Sequence, residues 1–191
     1  MLAHGHGGTI LIVDDGRQPS AVDLHRHYTH QGQSSVILKN AAEADEKAHA
    51  PDAPRDGMSE PRFAVYREER RRRHDEATDF IAQLTAVDGA TVMTDSLRVI
   101  GFGATIRTGD SADNVTMEIQ DPLAIGRRPA SLTDFPGNRH RSAILWCAKQ
   151  PSGLALAIVA SQDGDVSLFG RTGGATHVLA IRPFGVGRGL R

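Results

Sequence analysis

Apolar and polar positions change period several times along the chain, and each change predicts an element. Thr9 to Val13, "TILIV", is a β-branched apolar run between glycines and acids, the pattern of a short buried strand. Residues 36–38, "VIL", are a second short candidate strand. The segment that follows, "KNAAEADEKAHAPDAPRDGMSEPR", is poor in large apolar groups and reads as a linker or surface segment. A helix is expected from Arg62, with Ala77, Phe80, Ile81 and Leu84 at helical spacing toward its end. Residues 86–107 then read as strand, Asp-Ser turn, strand and a glycine-bordered extension. Val115, Met117 and Ile119 alternate with Thr116, Glu118 and Gln120, as in a half-buried strand. "PLAIGRRPASLTDFPG", residues 122–137, keeps no period and is expected to be irregular. Asn138 is a good N-cap for a helix in which Ala143, Ile144, Cys147 and Ala148 recur at helical spacing, ended by Pro151 and Gly153. "LALAIVAS", "QDGD" and "VSLFG" complete a hairpin. The expected fold is α/β, a mixed, largely antiparallel central sheet flanked by helices. Its expected organisation is a strand-containing extension (1–40), a polar linker (41–61) and a main domain (62–191).

Composition narrows the function classes. A length of 191 residues suffices for one well-buried core, and a net charge of −1 gives no global basic field for nucleic acid or an acidic membrane surface. Five arginines fall within residues 67–73, but Glu68, Glu69, Asp75 and Glu76 are interleaved, so a solvated helical face with internal ion pairs is favoured over nucleic-acid binding. No run reaches the roughly eighteen apolar residues of a membrane span, and the N-terminus lacks the pattern of a signal peptide; we expect a cytoplasmic protein without membrane insertion. Cys147 is the single cysteine, which excludes an internal disulfide framework, and its place on an apolar helix face favours buried filler over a reactive thiol. His4, His6, His25, His27 and His30 could supply metal ligands, but no carboxylate or cysteine spacing fixes a geometry for them. The glycines near residue 8 precede their strand, whereas a phosphate-binding glycine cluster follows one, so a phosphate loop is not expected there.

Two stations carry candidate chemistry. "GNRHRSA" puts Arg139 and Arg141 in the first turn of a helix, where acidic residues are the usual occupants. Free N–H groups, two guanidinium forks and the His140 imidazole together suit a polyanion such as a triphosphate. The plainer alternative is that both arginines are solvated or paired and that His140 is a hydrogen-bonded core residue. Asp88-Gly89-Ala90, at a junction of helix and strand, offers a carboxylate for a divalent metal or for a hydroxyl proton. Its alternatives are a turn or cap role for Asp88 and turn geometry for Gly89. Phosphoryl or nucleotidyl transfer needs both kinds of group across one substrate.

In order and surroundings, "LTAVDGATVM", "GNRHRSA" and "LALAIVASQDGDVSLF" resemble the nucleotide-binding domain of the DisA-type diadenylate cyclases, which condense two ATP into cyclic di-AMP. That family has a D-G-A motif after a helix, a G-T-R-H-R-x-A motif opening another, and a strand that runs into a serine before a hairpin. The likeness covers about residues 76–170, and "HGHGGTILIV" is similar to an upstream segment of a divergent sensor branch of diadenylate cyclase-like proteins. The resemblance implies that Asp88 lies near a ribose 3′-hydroxyl and a Mg²⁺ or Mn²⁺, and that Gly89 and Ala90 line the nucleotide. It also implies that Arg139, His140 and Arg141 hold the triphosphate, with Asn138 at the cap and Ser161 nearby, Ser161 being otherwise an ordinary strand-end hydrogen bond. The implied partners are ATP or a related adenine nucleotide and, for cyclisation, a second copy in a face-to-face homodimer; the alternative is a catalytically inactive nucleotide-binding sensor. Two departures stand out: Asn138 replaces the family's threonine, and 51 positions separate Asp88 from Arg139, more than in the familiar cyclases.

Overall fold

Side-chain alternation sorts the apolar residues onto the two faces of one sheet, and among the described residues each face is packed by one helix. The computed structural model describes residues 7–16, 20–23, 59–108, 115–120, 126–150, 155–162, 164–172 and 176–185. In chain order these form β1 (Gly8–Val13), β2 (Val22–Asp23), α1 (Glu60–Ala86), β3 (Ala90–Thr94), β4 (Val99–Ile106), β5 (Thr116–Gln120) and β6 (Arg127–Ala130). A 3₁₀ turn (Leu132–Asp134) leads into α2 (Asn138–Lys149), followed by β7 (Ala155–Ala160), β8 (Asp165–Arg171) and β9 (His177–Gly185). The described strands make a nine-stranded sheet in the order β2-β4-β3-β1-β7-β8-β9-β5-β6. The pairs β1/β3 and β5/β9 are parallel and the other pairs antiparallel, so the fold is the mixed, largely antiparallel α/β sheet expected.

Leu11 and Val13 of β1, Ala157 and Val159 of β7 and Phe169 of β8 share a core with Ala143, Ile144, Trp146 and Cys147 of α2. Their neighbours Ile10, Ile12, Met93 and Ile158 point the other way and pack with Ala77, Phe80, Ile81 and Leu84 of α1. Burial of this kind contributes about 1.5–3 kcal/mol for each large apolar side chain. The core side of α1 is confined to its C-terminal part, where Ala77, Ala82, Leu84 and Thr85 are buried. Upstream, Arg71–Asp75, Arg72–Glu76 and Glu69–Arg73 pair at i,i+4 on an exposed surface, as the charge pattern predicts. Cys147 is buried, its thiol donates to the Phe169 carbonyl at 3.4 Å, and burial pushes its pKa well up, so it is filler.

Several expectations need correction. The first strand is no appendage: β1 lies mid-sheet between β3 and β7. Asn138 is the first helical residue and Gly137 holds the N-cap position, because the extended backbone ends one residue earlier than the capping preference of Asn suggests. Helix α1 begins at Glu60, with Pro61 in its first turn, where a missing N–H costs nothing. Residues 122–137 are not wholly irregular, since Arg127–Ala130 pairs with β5 as an edge strand. Its side chains are largely exposed, so no apolar alternation marks it. The candidate strand at 36–38 and the five N-terminal histidines lie outside the described residues, as does the linker up to residue 58.

Candidate functional site

Strand direction brings distant segments to one end of the sheet. With β1 parallel to β3 and antiparallel to β7, the starts of β1, β3 and β8 and the end of β7 lie together. A cleft of about 820 Å³ opens there, lined by Asp88, by Pro136 to His140 at the start of α2, by Val159 to Gln162, and by Asp165 and Ser167. That volume falls within the roughly 300–1,000 Å³ typical of small-molecule sites.

The two stations read from sequence therefore meet, through Asp88 on one side and Asn138, Arg139 and His140 on the other. The N-cap of α2 is a glycine with no side-chain cap, so the first N–H groups of the helix have no capping oxygen. Such an end is a natural seat for an anion, and Arg139 adds a full positive charge to it. No ion pair among the described residues involves Asp88, Arg139 or Arg141.

His140 combines both of its sequence readings. It lines the cleft, yet its ring packs between Phe135 and Phe169, with centroids 6.2 and 5.9 Å away. It also folds back over Gly137, where a Cβ would stand 2.9 Å from Nδ1. Ser161 is similarly double: its hydroxyl accepts the Asp165 amide at 3.2 Å, shaping the β7–β8 turn, and it borders the cleft.

Other expected residues lie elsewhere. Gly89, Ala90 and Arg141 are not among the cleft-lining residues. Ala90 is buried in the core shared with α2. Gly89 acts on the backbone: its φ is +117°, and a Cβ would stand 2.6 Å from the Gly103 carbonyl carbon, beside the register shifts of the β3–β4 pair. Only glycine fits this turn, and the turn presents the exposed Asp88 to the cleft. Sequence reasoning missed Pro136, Val159, Ala160, Gln162, Asp165 and Ser167 and gave Gly137 only as part of a motif. Ser167 left one usable trace, a hydroxyl at an inward position of an apolar strand; it is 2% exposed, on the cleft floor.

No group of three or more His, Cys, Asp or Glu that could hold a metal occurs among the described residues. Asp88 and Asp165 are the carboxylates on the cleft. That set fits Mg²⁺ or Mn²⁺ held by one or two carboxylates plus a substrate's phosphates, and not an all-protein cage. Among the described residues, no helix is long and apolar enough to cross a membrane. No family model, curated protein or solved structure matches the chain.

Proposed function

We propose that the cleft binds ATP, or a related adenine nucleotide, together with Mg²⁺ or Mn²⁺, and that two such domains facing one another condense two ATP into cyclic di-AMP. The observation that carries this reading is the meeting of the Asp88 carboxylate with Arg139 and the uncapped start of α2 in one cleft. Phosphates sit at the helix N-terminus, where aligned peptide dipoles and the Arg139 guanidinium offset their charge. Asn138 contributes its side-chain amide at the same edge, and Ser161 and Ser167 offer hydroxyls from the floor. Asp88 accepts the proton of a ribose 3′-hydroxyl and is the carboxylate that would hold a Mg²⁺ or Mn²⁺, which would supply charge withdrawal at the α-phosphate. In each half-reaction the 3′-oxygen forms a bond to the α-phosphorus of the other nucleotide and pyrophosphate leaves. Two such steps close the ring, so each domain supplies one nucleotide and a monomer only binds. A cytoplasmic setting, where thiols stay reduced, suits the single free cysteine.

The second reading, a catalytically inactive nucleotide sensor, is favoured by one observation: Arg141, the second phosphate ligand implied by the resemblance, does not line the cleft. One assay separates the two. Incubation of the protein with ATP and Mn²⁺ or Mg²⁺, read by mass spectrometry, yields cyclic di-AMP on the first reading, and Asp88→Asn abolishes it. Binding of ATP that depends on Arg139, with no product, establishes the sensor. Absence of any ATP binding sinks both.

A further inference from the structure

The glycines that open β1 precede their strand and so make no phosphate loop, yet Gly7 is buried at the centre of this end of the sheet. It stands one residue before the pairing Gly8↔Ala160 and two before Thr9↔Ala90, hence between the Ser161 and Asp88 stations. A Cβ at Gly7 would lie 2.5 Å from the Ala160 carbonyl oxygen, 3.2 Å from the Ser161 carbonyl carbon and 3.2 Å from Nη1 of Arg139. The φ of Gly7 is not in the left-handed region, so what excludes a side chain is the close approach of the β7 backbone, and a Cβ there would also push against the Arg139 guanidinium.

We infer that Gly7 is a positioning residue for Arg139: the bare backbone at the start of β1 is the seat on which the guanidinium lies. Seated there, the exposed Arg139 side chain lies over the sheet end near Ser161 and lines the cleft. A long arginine free to swing in water loses rotamer entropy when it grips an anion, and a seat reduces that loss. Arg141, two residues on in the same helix, has no place on the cleft and shares none of this. The inference deepens the nucleotide-binding reading and, for its effect on affinity, rests on it.

The test is a double-mutant cycle with two readouts. Calorimetry with ATP and Mg²⁺ is run on the wild type, Gly7→Ala, Arg139→Ala and the double variant, with thermal unfolding as a check of folding. Gly7→Ala is expected to weaken ATP roughly tenfold beside Arg139, the worth of one charge-assisted hydrogen bond, and by clearly less in the Arg139→Ala background, where only the displacement of the β7 backbone is left. Equal losses in both backgrounds overturn the inference and leave the nucleotide reading standing. The second readout needs no ligand: the side-chain Nε–Hε resonance of Arg139 moves in Gly7→Ala while that of Arg141 stays. If the wild type binds no ATP, the functional reading fails and this resonance alone decides the positioning. Should the clash with Ala160 unfold Gly7→Ala, Arg139→Lys asks the same question from the other side. A shifted Gly7 amide resonance supports the seat, and an unchanged one overturns it.

Discussion

The two ends of the central strands carry similar residue types in opposite conditions. At the far end, beyond β1 and β3, the charges satisfy one another: Arg98 and Ser96 donate to Asp15 at 3.2 and 3.0 Å, and the Asp15 amide donates to Asp95 at 2.9 Å. The backbone joins in, with the Asp95 amide donating to the Val13 carbonyl at 2.9 Å. At the cleft end, Asp88 and Arg139 face open space with no ion-pair partner among the described residues, and the helix end above them is uncapped. Charge at the far end is used to close the fold. Charge at the cleft end has no such internal use among the described residues, which is what the proposed nucleotide site requires, and exposed acidic and basic residues alone do not tell the two cases apart.

Substitutions at the two ends test this difference. The largest effect on binding is expected from Arg139→Ala, which should weaken ATP about 10–100-fold by calorimetry, whereas Arg141→Ala should change it by less than about threefold. Equal losses would erase the distinction between the arginine on the cleft and the one off it. Gly89→Ala should cost roughly 2–4 kcal/mol of stability in urea unfolding, because it adds left-handed strain to a backbone clash. Next comes salt: raising ionic strength from about 50 to 500 mM should weaken ATP binding severalfold, because the charges on this open cleft are exposed and mobile ions screen their attraction for the phosphates. The smallest effect belongs to the far end. Hydrogen bonds from Ser96 and Arg98 hold the Asp15 carboxyl below its ordinary pKa. A depressed carboxylate stabilises the fold above its unfolded pKa, near 4, and that stability is lost as pH falls through the lower folded value. Asp15→Asn should therefore unfold slightly more easily than the wild type at neutral pH, and thermal melts of the two should converge in strong acid. Its ATP affinity should not move.

How much of this the sequence discloses depends on how local each cause is. Strands β1, β5, β7 and β8 announce themselves because one or both faces are buried, and α2 because its apolar residues recur at helical spacing. β6 does not: "RRPA" pairs through its backbone at the sheet edge while its side chains stay largely exposed, so periodicity has nothing to register. The sharing of one cleft by Asp88 and Arg139 is anticipated by chemistry, but the path that brings them together is not. It depends on the parallel pairing of β1 with β3, across about 80 residues, and no local pattern encodes that. The same gap explains Arg141: helical phase sets it apart from Arg139, but which side faces the cleft is decided by how α2 sits on β7 and β8. Gly89 shows the reverse error. Its type is legible as special, but the reason is the approach of β4, not contact with a ligand.

The central place of β1 also bears on how the protein comes into being. During synthesis "TILIV" leaves the ribosome well before its neighbours in the sheet, residues 90–94 and 155–160. At about 5–20 residues per second, the most β-prone segment of the chain waits many seconds for its second partner. Until then at least one of its edges is unpaired, a hazard for association with other chains. The cleft cannot exist before that wait ends, because its floor is made by the strands on either side of β1. Acquisition of the site during translation would thus report the closing of the whole sheet.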